Sequence, residues 1–208
     1  MSSVDRPFCV GVDLDNTIVC YDGVLARAAA DVLGTGVELP IGKHAVKTAV
    51  ERAAGADAWT LMQGELYGPR LREAVPYPGA LEFFRACRAR GVRVRIISHK
   101  TQRPALGPAY DLRAAALEWL EAHDWFASDG GGIASDDVEF HETFEDKLRA
   151  IGACAVFIDD LPAVFNAAEF PEGTRRLLFD PADAHRAAAG VERLRCWSDI
   201  RRDVLGDE

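Results

Sequence analysis

Phe8-Cys9-Val10-Gly11-Val12-Asp13-Leu14-Asp15-Asn16-Thr17 decides how this chain is read. A short apolar, β-branched run ends in two carboxylates. That is the pattern of a buried strand stopping at an active-site rim. In open α/β sheets, chemistry gathers at the carboxyl ends of the strands. Two carboxylates two residues apart either converge on one hard cation or divide into nucleophile and acid/base. Asp-x-Asp also occurs in plain turns, so the rest of the chain has to choose.

Outward from this stretch, further strand candidates recur between helical patterns. They are Val92–Ser98, Ala153–Asp159, Arg176–Asp180 (ended by Pro181) and Arg193–Trp197. Residues 81–90 and 112–122 carry Ala, Leu, Glu and Arg at helical apolar spacing. Residues 143–151 predict a helix capped by Thr143, with Asp146 three residues on. Strands alternating with helices imply a parallel sheet with right-handed crossovers.

One interval breaks the alternation. From Ile18 to Pro78 no central strand is evident, and Val24–Leu33, His44–Ala54 and Trp59–Arg72 read as helical. Tyr77-Pro78-Gly79 punctuates its end. A helical insert after the first strand belongs over the carboxyl ends of the sheet, as a lid does; the plainer alternative is a helical extension that pads the core. Ser128–Asp137, with Gly130-Gly131-Gly132, reads as a surface loop. No Gly-Lys-Ser/Thr follows it, so it is not a phosphate-binding P-loop.

The composition bounds the function. A chain of 208 residues allows one sizeable α/β domain with a small insert. A formal net charge of −9 disfavours a nucleic acid polymer, whose binding depends on Lys and Arg. Five cysteines without CxxC spacing argue against a disulfide framework and fit a reducing, cytoplasmic setting. Neither a signal peptide nor an apolar membrane span is expected.

Four elements then line up in order: Asp13-x-Asp15-x-Thr17 after the first strand, Ser98 ending the second, Lys147 near a helix start, and Asp159-Asp160 after Ala155-Val156-Phe157-Ile158. Each follows a strand or opens a helix, so all can face one crevice. This order resembles the haloacid dehalogenase superfamily of phosphotransferases and hydrolases, from about residue 8 to 180. The insert resembles that superfamily's helical cap. The resemblance implies an α/β Rossmann-like parallel sheet flanked by helices, with residues 1–17 and 79–208 as core and 18–78 as a small helical cap.

The resemblance also implies roles. Asp13 attacks phosphorus and forms a phosphoaspartate. Asp15 protonates the leaving oxygen, then deprotonates water, and its backbone carbonyl binds the metal. Ser98 and the His99 backbone N–H hold phosphoryl oxygens, and Lys147 supplies positive charge beside them. Asp13, Asp15, Asp159 and Asp160 hold Mg²⁺, which prefers oxygen ligands and keeps several waters. Of the last pair, Asp159 is the favoured ligand, and Asp160 a second or water-mediated one. Thr17 fixes the loop, its hydroxyl orienting Asp15. The superfamily's dehalogenases lack the second carboxylate, so Asp15 argues for phosphoryl transfer. The implied activity is Mg²⁺-dependent hydrolysis of a small phosphate ester, a sugar phosphate or nucleoside monophosphate. The rivals are a phosphomutase of the same superfamily and a non-catalytic phosphate-binding or scaffold protein.

Weaker candidates surround these. Lys100 and Arg103, in a basic stretch after Ser98, suit a second anionic group of the substrate or simply solvated loop charge. Tyr21, His44, Trp59 and Arg70 suit a substrate pocket or ordinary packing. His141 has no ligand-spaced partner for a zinc site.

Overall fold

The computed structural model describes residues 8–34, 42–186 and 188–206, without the side chain of His44. Strand β1 (Cys9–Val12) is buried at every residue, as its unbroken apolar run requires of a central strand. Gly11 is needed there. A Cβ at this position would stand 2.7 Å from the Phe157 ring and 2.8 Å from Cys154 Sγ.

The remaining elements follow in chain order. They are β2 (Val19–Cys20), α1 (Asp22–Leu33), α2 (Lys43–Ala54), α3 (Ala56–Tyr67), a 3-10 turn at Leu71–Glu73, and β3 (Val75–Pro76). After these come α4 (Ala80–Ala89), β4 (Arg93–His99), α5 (Leu112–Ala122), a second 3-10 turn at Ser135–Asp137, β5 (Val138–His141) and α6 (Phe144–Ile151). The chain closes with β6 (Val156–Asp159), α7 (Pro162–Phe165), β7 (Arg175–Phe179), β8 (Val191–Leu194) and α8 (Trp197–Leu205).

Six strands form one parallel sheet in the order β5-β4-β1-β6-β7-β8. This is the expected Rossmann-like α/β fold. From β1 the chain goes on to β4 on one side, and from β6 to β7 on the other. The switch point of the topology therefore lies between β1 and β6, and in sheets of this kind ligands bind at the carboxyl ends of the strands beside such a point. Asp13 N donates to the Ile158 carbonyl at 2.9 Å and carries the ladder up to that rim.

Differences from the sequence reading have local causes. β5 is an additional edge strand, Val-Glu-Phe-His, half-buried throughout, so its polar residues hide its period. The expected strand at 193–197 is shorter and shifted, because Trp197 instead begins α8. The expected helix at 59–72 ends at Tyr67 and resumes only as a 3-10 turn. Pro69 follows Gly68 there, and neither favours helix continuation.

The chain divides into two compact units. The first comprises Met1–Ile18, Tyr77–His99 and Asp124–Glu208, and it contains the whole six-stranded sheet. Cys9, Ile97, Leu148, Ile151, Phe157, Val164, Phe165 and Leu178 form one apolar cluster of its core. Rings of Phe83, Phe179 and Trp197 pack on one another in sequence-distant contacts, with Phe83–Trp197 centroids at 5.2 Å and Phe179–Trp197 at 5.7 Å.

The second unit comprises Val19–Pro76 and Lys100–His123. β2 and β3 pair antiparallel, Val19 with Pro76 and Cys20 with Val75, and so close the ends of the insert on each other. By packing, 100–123 belongs with the insert, whereas the sequence reading placed it in the core. Trp119 Nε1 donates to the Ala74 carbonyl at 2.9 Å, and Tyr110 Oη donates to Glu65 at 2.6 Å. Among the described residues no helix is long and apolar enough to cross a membrane.

Candidate active site

Asp13 is the first residue beyond β1, and its side chain is buried. The turn after it places Asn16 at φ 62°, a left-handed conformation that asparagine tolerates better than most residues. Trp197 Nε1 donates to the Thr17 carbonyl at 3.2 Å, tying this turn to α8 across 180 residues of chain.

Lys147 reaches the same place from α6. Thr143 is the N-cap of that helix, as expected, and its Oγ1 accepts from Asp146 N at 3.1 Å. Lys147 sits in the first turn and is 2% exposed. Its Nζ donates to Asp13 Oδ1 at 2.7 Å and to Asp159 Oδ2 at 2.6 Å. Asp159 ends β6, and its other oxygen, Oδ1, accepts from Leu161 N at 2.8 Å. Carboxylate oxygens of Asp13, Asp159 and Asp160 all lie within 4.8 Å of one another.

The electrostatics follow from burial and neighbours. Burial pushes the Asp13 carboxyl up, to about 7, against the pull of Lys147; Asp159 and Asp15 raise it further. Burial alone would lower Lys147, yet the charges of Asp13 and Asp159 outweigh it and hold the ammonium charged. Three carboxylates against one lysine leave a local excess of negative charge. An all-oxygen donor set with that excess fits a hard divalent cation.

The other predicted residues are placed as follows. Ser98 is buried near the carboxyl end of β4, beside β1 in the sheet. His99 ends β4, and its Nε2 meets the Glu142 carbonyl at 3.1 Å, so its side chain is engaged away from any backbone role. Asp15 is half-buried, and its carboxylate lies outside the three-carboxylate group. One expectation needs correction: Thr17 Oγ1 is buried with no hydrogen-bond partner among the described residues, so it does not orient Asp15. The loop is held through the Thr17 carbonyl instead.

Among the weaker candidates, Trp59 is a buried core residue of the second unit. Arg70 pairs with Asp31 at 2.6 Å and with Glu73 at 3.4 Å. Arg103 is exposed and donates to the Ala109 carbonyl at 2.8 Å. Lys100, by contrast, is buried and stands 4.9 Å from the Tyr67 ring centroid. Tyr67 carried no signal in the sequence beyond preceding a Gly-Pro stop. The side chain of His44 lies outside the described residues. His141 joins no metal-ligating group among the described residues.

No protein-family profile matches the sequence, and no curated protein is detectably similar to it. Solved structures are similar along the whole chain. A haloacid dehalogenase (HAD) superfamily hydrolase from Ehrlichia chaffeensis superposes with a TM-score of 0.58, covering 98% of each chain at 13% identity. The chain has the haloacid dehalogenase fold. A HAD family hydrolase from Deinococcus radiodurans, described with bound phosphate and sodium, gives a TM-score of 0.58 at 20% identity over 97% of each chain. The putative HAD-hydrolase YfnB from Bacillus subtilis, described as bound to magnesium and showing interdomain movement, gives 0.57 at 12% identity. It covers 98% of this chain and all of its own. At these identities the haloacid dehalogenase likeness is one of fold. The chemistry has to be argued from the residues at the carboxyl ends of β1, β4 and β6.

Proposed function

We propose that this protein is a Mg²⁺-dependent phosphatase of small phosphorylated metabolites, acting through a phosphoaspartate on Asp13. The observation that carries this reading is Lys147, buried between Asp13 and Asp159, with Asp160 completing a carboxylate group within 4.8 Å. A buried nucleophile beside a fixed cation suits an attack on a phosphate dianion, because the charge is balanced before the reaction begins. The Deinococcus and Bacillus structures, with their phosphate and magnesium, support the same assignment.

In the first step an Asp13 oxygen forms a bond to phosphorus while the ester P–O bond breaks. Asp15 gives its proton to the leaving oxygen. In the second step Asp15 takes a proton from water as the water oxygen attacks phosphorus. The acyl phosphate bond breaks, freeing Asp13 and inorganic phosphate. Acid/base help of this kind contributes about 10²–10⁴-fold. Ser98 and the His99 N–H hold phosphoryl oxygens, and Lys147 keeps Asp13 oriented and offsets its charge.

Asp13, Asp159 and Asp160 would hold the cation, with the Asp15 carbonyl as a further ligand. When bound, Mg²⁺ supplies positive charge for the phosphoryl oxygens. Asp159 already serves Lys147 and Leu161 N, so Asp13 and Asp160 are the principal ligands in this reading. In this reading the second unit takes the part that the resemblance gives to the helical cap. The chain enters it directly after the Asp13–Thr17 turn and again directly after Ser98-His99. Five free thiols, two of them 3.9 Å apart at Cys9 and Cys154, support a reducing, cytoplasmic compartment.

The deciding experiment is phosphate release from sugar phosphates, nucleoside monophosphates and short alkyl phosphates, with Mg²⁺ and with EDTA. Metal-dependent release that disappears in Asp13→Asn is the expected result. Isomerised product without free phosphate would assign a mutase instead. Binding without turnover of any member would leave a phosphate-binding protein.

A further inference from the structure

Two cysteines 145 positions apart in sequence meet in the core of the first unit. Cys9 opens β1, and Cys154 lies two residues before β6. Their sulfurs stand 3.9 Å apart, with Cys9 6% and Cys154 4% exposed. Ala155 N donates to the Cys9 carbonyl at 2.8 Å and holds the two backbones side by side. Gly11 leaves the space that the Cys154 sulfur occupies, since a Cβ there would stand 2.8 Å from it.

A buried thiol among apolar side chains is ordinarily an inert small hydrophobe. This pair differs because Arg95 reaches it from β4. Arg95 Nη1 donates to Cys154 Sγ at 3.8 Å, while its Nε holds Glu139 at 2.8 Å. With Arg95 donating to the Cys154 sulfur, the Cys154 S–H is directed to Cys9. That bond, with the charges of Arg95 and Arg93, holds the Cys9 thiol below its usual range against the effect of burial. Cys87 shows the contrast: burial pushes its thiol up to about 12.

We propose that Cys9 and Cys154 are a site of reversible oxidation, closing to a disulfide under hydrogen peroxide. The oxidant has to be small, because both sulfurs are buried. The Cys9 thiolate attacks one peroxide oxygen, the O–O bond breaks, and the hydroxide that leaves takes up a proton as water. The Cys154 sulfur then attacks the Cys9 sulfenic acid. The S–S bond forms, the S–O bond breaks, and the released hydroxide joins the Cys154 proton as a second water. Two thiols lose two electrons, and one peroxide becomes two waters. The sulfurs close from 3.9 Å to about 2.05 Å, a movement that two side chains share. In the reducing setting that the free thiols support, a dithiol reverses the bond. The product staples the amino ends of β1 and β6, the strands whose other ends lead to Asp13 and Asp159. This inference is independent of the phosphatase reading.

The test exposes the full, folded chain to hydrogen peroxide and stops the reaction with catalase. The protein is then unfolded in iodoacetamide, digested and read by mass spectrometry. The expected product is a peptide pair linked through Cys9 and Cys154. It should be two hydrogens lighter than the separate peptides and released by dithiothreitol, with Cys87 recovered as the alkylated thiol. The yield of this link should exceed by at least tenfold that from chain oxidised in guanidinium chloride, where nothing holds the two sulfurs together. Recovery of both cysteines alkylated, oxidation of Cys9 without a link, or a dominant link between any other pair overturns the proposal. Equal yield from folded and unfolded chain overturns it too. The readout uses only the parent sequence, so no variant has to fold for the outcome to count.

Discussion

Lys147 Nζ donates to Asp13 Oδ1 at 2.7 Å, across 134 residues of chain. Neither residue is stable alone in that position. Asp13 is a buried carboxylate, and Lys147 a buried ammonium; each charge offsets the burial of the other. Asp159, at 2.6 Å from the same ammonium, makes the arrangement a triad with one surplus negative charge.

Removing the lysine should therefore leave buried carboxylates facing each other. Lys147→Met is expected to destabilise the metal-free protein by about 3–5 kcal/mol, the range for breaking a buried pair. Mg²⁺ should recover part of the loss, since the cation replaces the missing charge. Phosphate release should fall by at least ~10²-fold. Thermal melts with Mg²⁺ and with EDTA check the first two points, and an unchanged melting temperature would show that the triad does not stabilise the fold.

Asp13 sets a pH dependence of the opposite kind to most carboxylates. Burial raises its pKa from the usual 3.8 to about 7, so the folded state prefers the protonated form. Its contribution is most favourable below 3.8 and is lost as pH rises towards about 7. Asp13→Asn removes that loss while keeping the shape. In EDTA the variant should be more stable than the parent by roughly 1–3 kcal/mol at pH 8, with the gap closing near pH 4. Melts of both proteins across that window test the sign.

Cation binding should stabilise the folded chain through mass action. At a hundredfold excess over Kd the gain is ~2.7 kcal/mol, or roughly 5–10 °C in Tm for a chain of this size. Asp160→Asn should abolish most of that shift, because its carboxylate lies within 4.8 Å of those of Asp13 and Asp159. An equal shift in parent and variant would remove Asp160 from the ligand set.

Thr143 caps the helix that delivers Lys147. Thr143→Ala should cost about 1 kcal/mol in urea unfolding. It should also lower kcat, since a frayed first turn misplaces Nζ by more than a hydrogen bond tolerates. Thr143→Ser, which keeps the capping oxygen, should restore both; loss in one readout alone would separate capping from positioning.

Local chemistry made much of this legible in advance. Apolar runs stopped by Asp13, Ser98 and Asp159 marked the carboxyl ends of β1, β4 and β6, because a strand buried between covered faces carries a near-continuous apolar run, interrupted in β4 only by Arg95 before Ile96 and Ile97. Thr143 and Asp146 marked the start of α6 through a capping bond between residues three apart. These are short-range signals, and they carried the parallel α/β sheet.

What the chain could not state locally depends on contacts between distant residues. The half-buried strand β5 exists because β4 offers it an edge to pair with, not because Val-Glu-Phe-His has a strong strand pattern. Residues 100–123 join the insert because Trp119 and Tyr110 find partners at Ala74 and Glu65. Thr17 reads as a side-chain tether, yet its carbonyl, held by Trp197, does that work. The sequence by itself determined where strands stop and carboxylates begin, since burial and capping act over a few residues. Only the tertiary structure decided that Lys147 reaches both Asp13 and Asp159 and that the sulfurs of Cys9 and Cys154 meet, because side-chain convergence follows from packing of the whole chain.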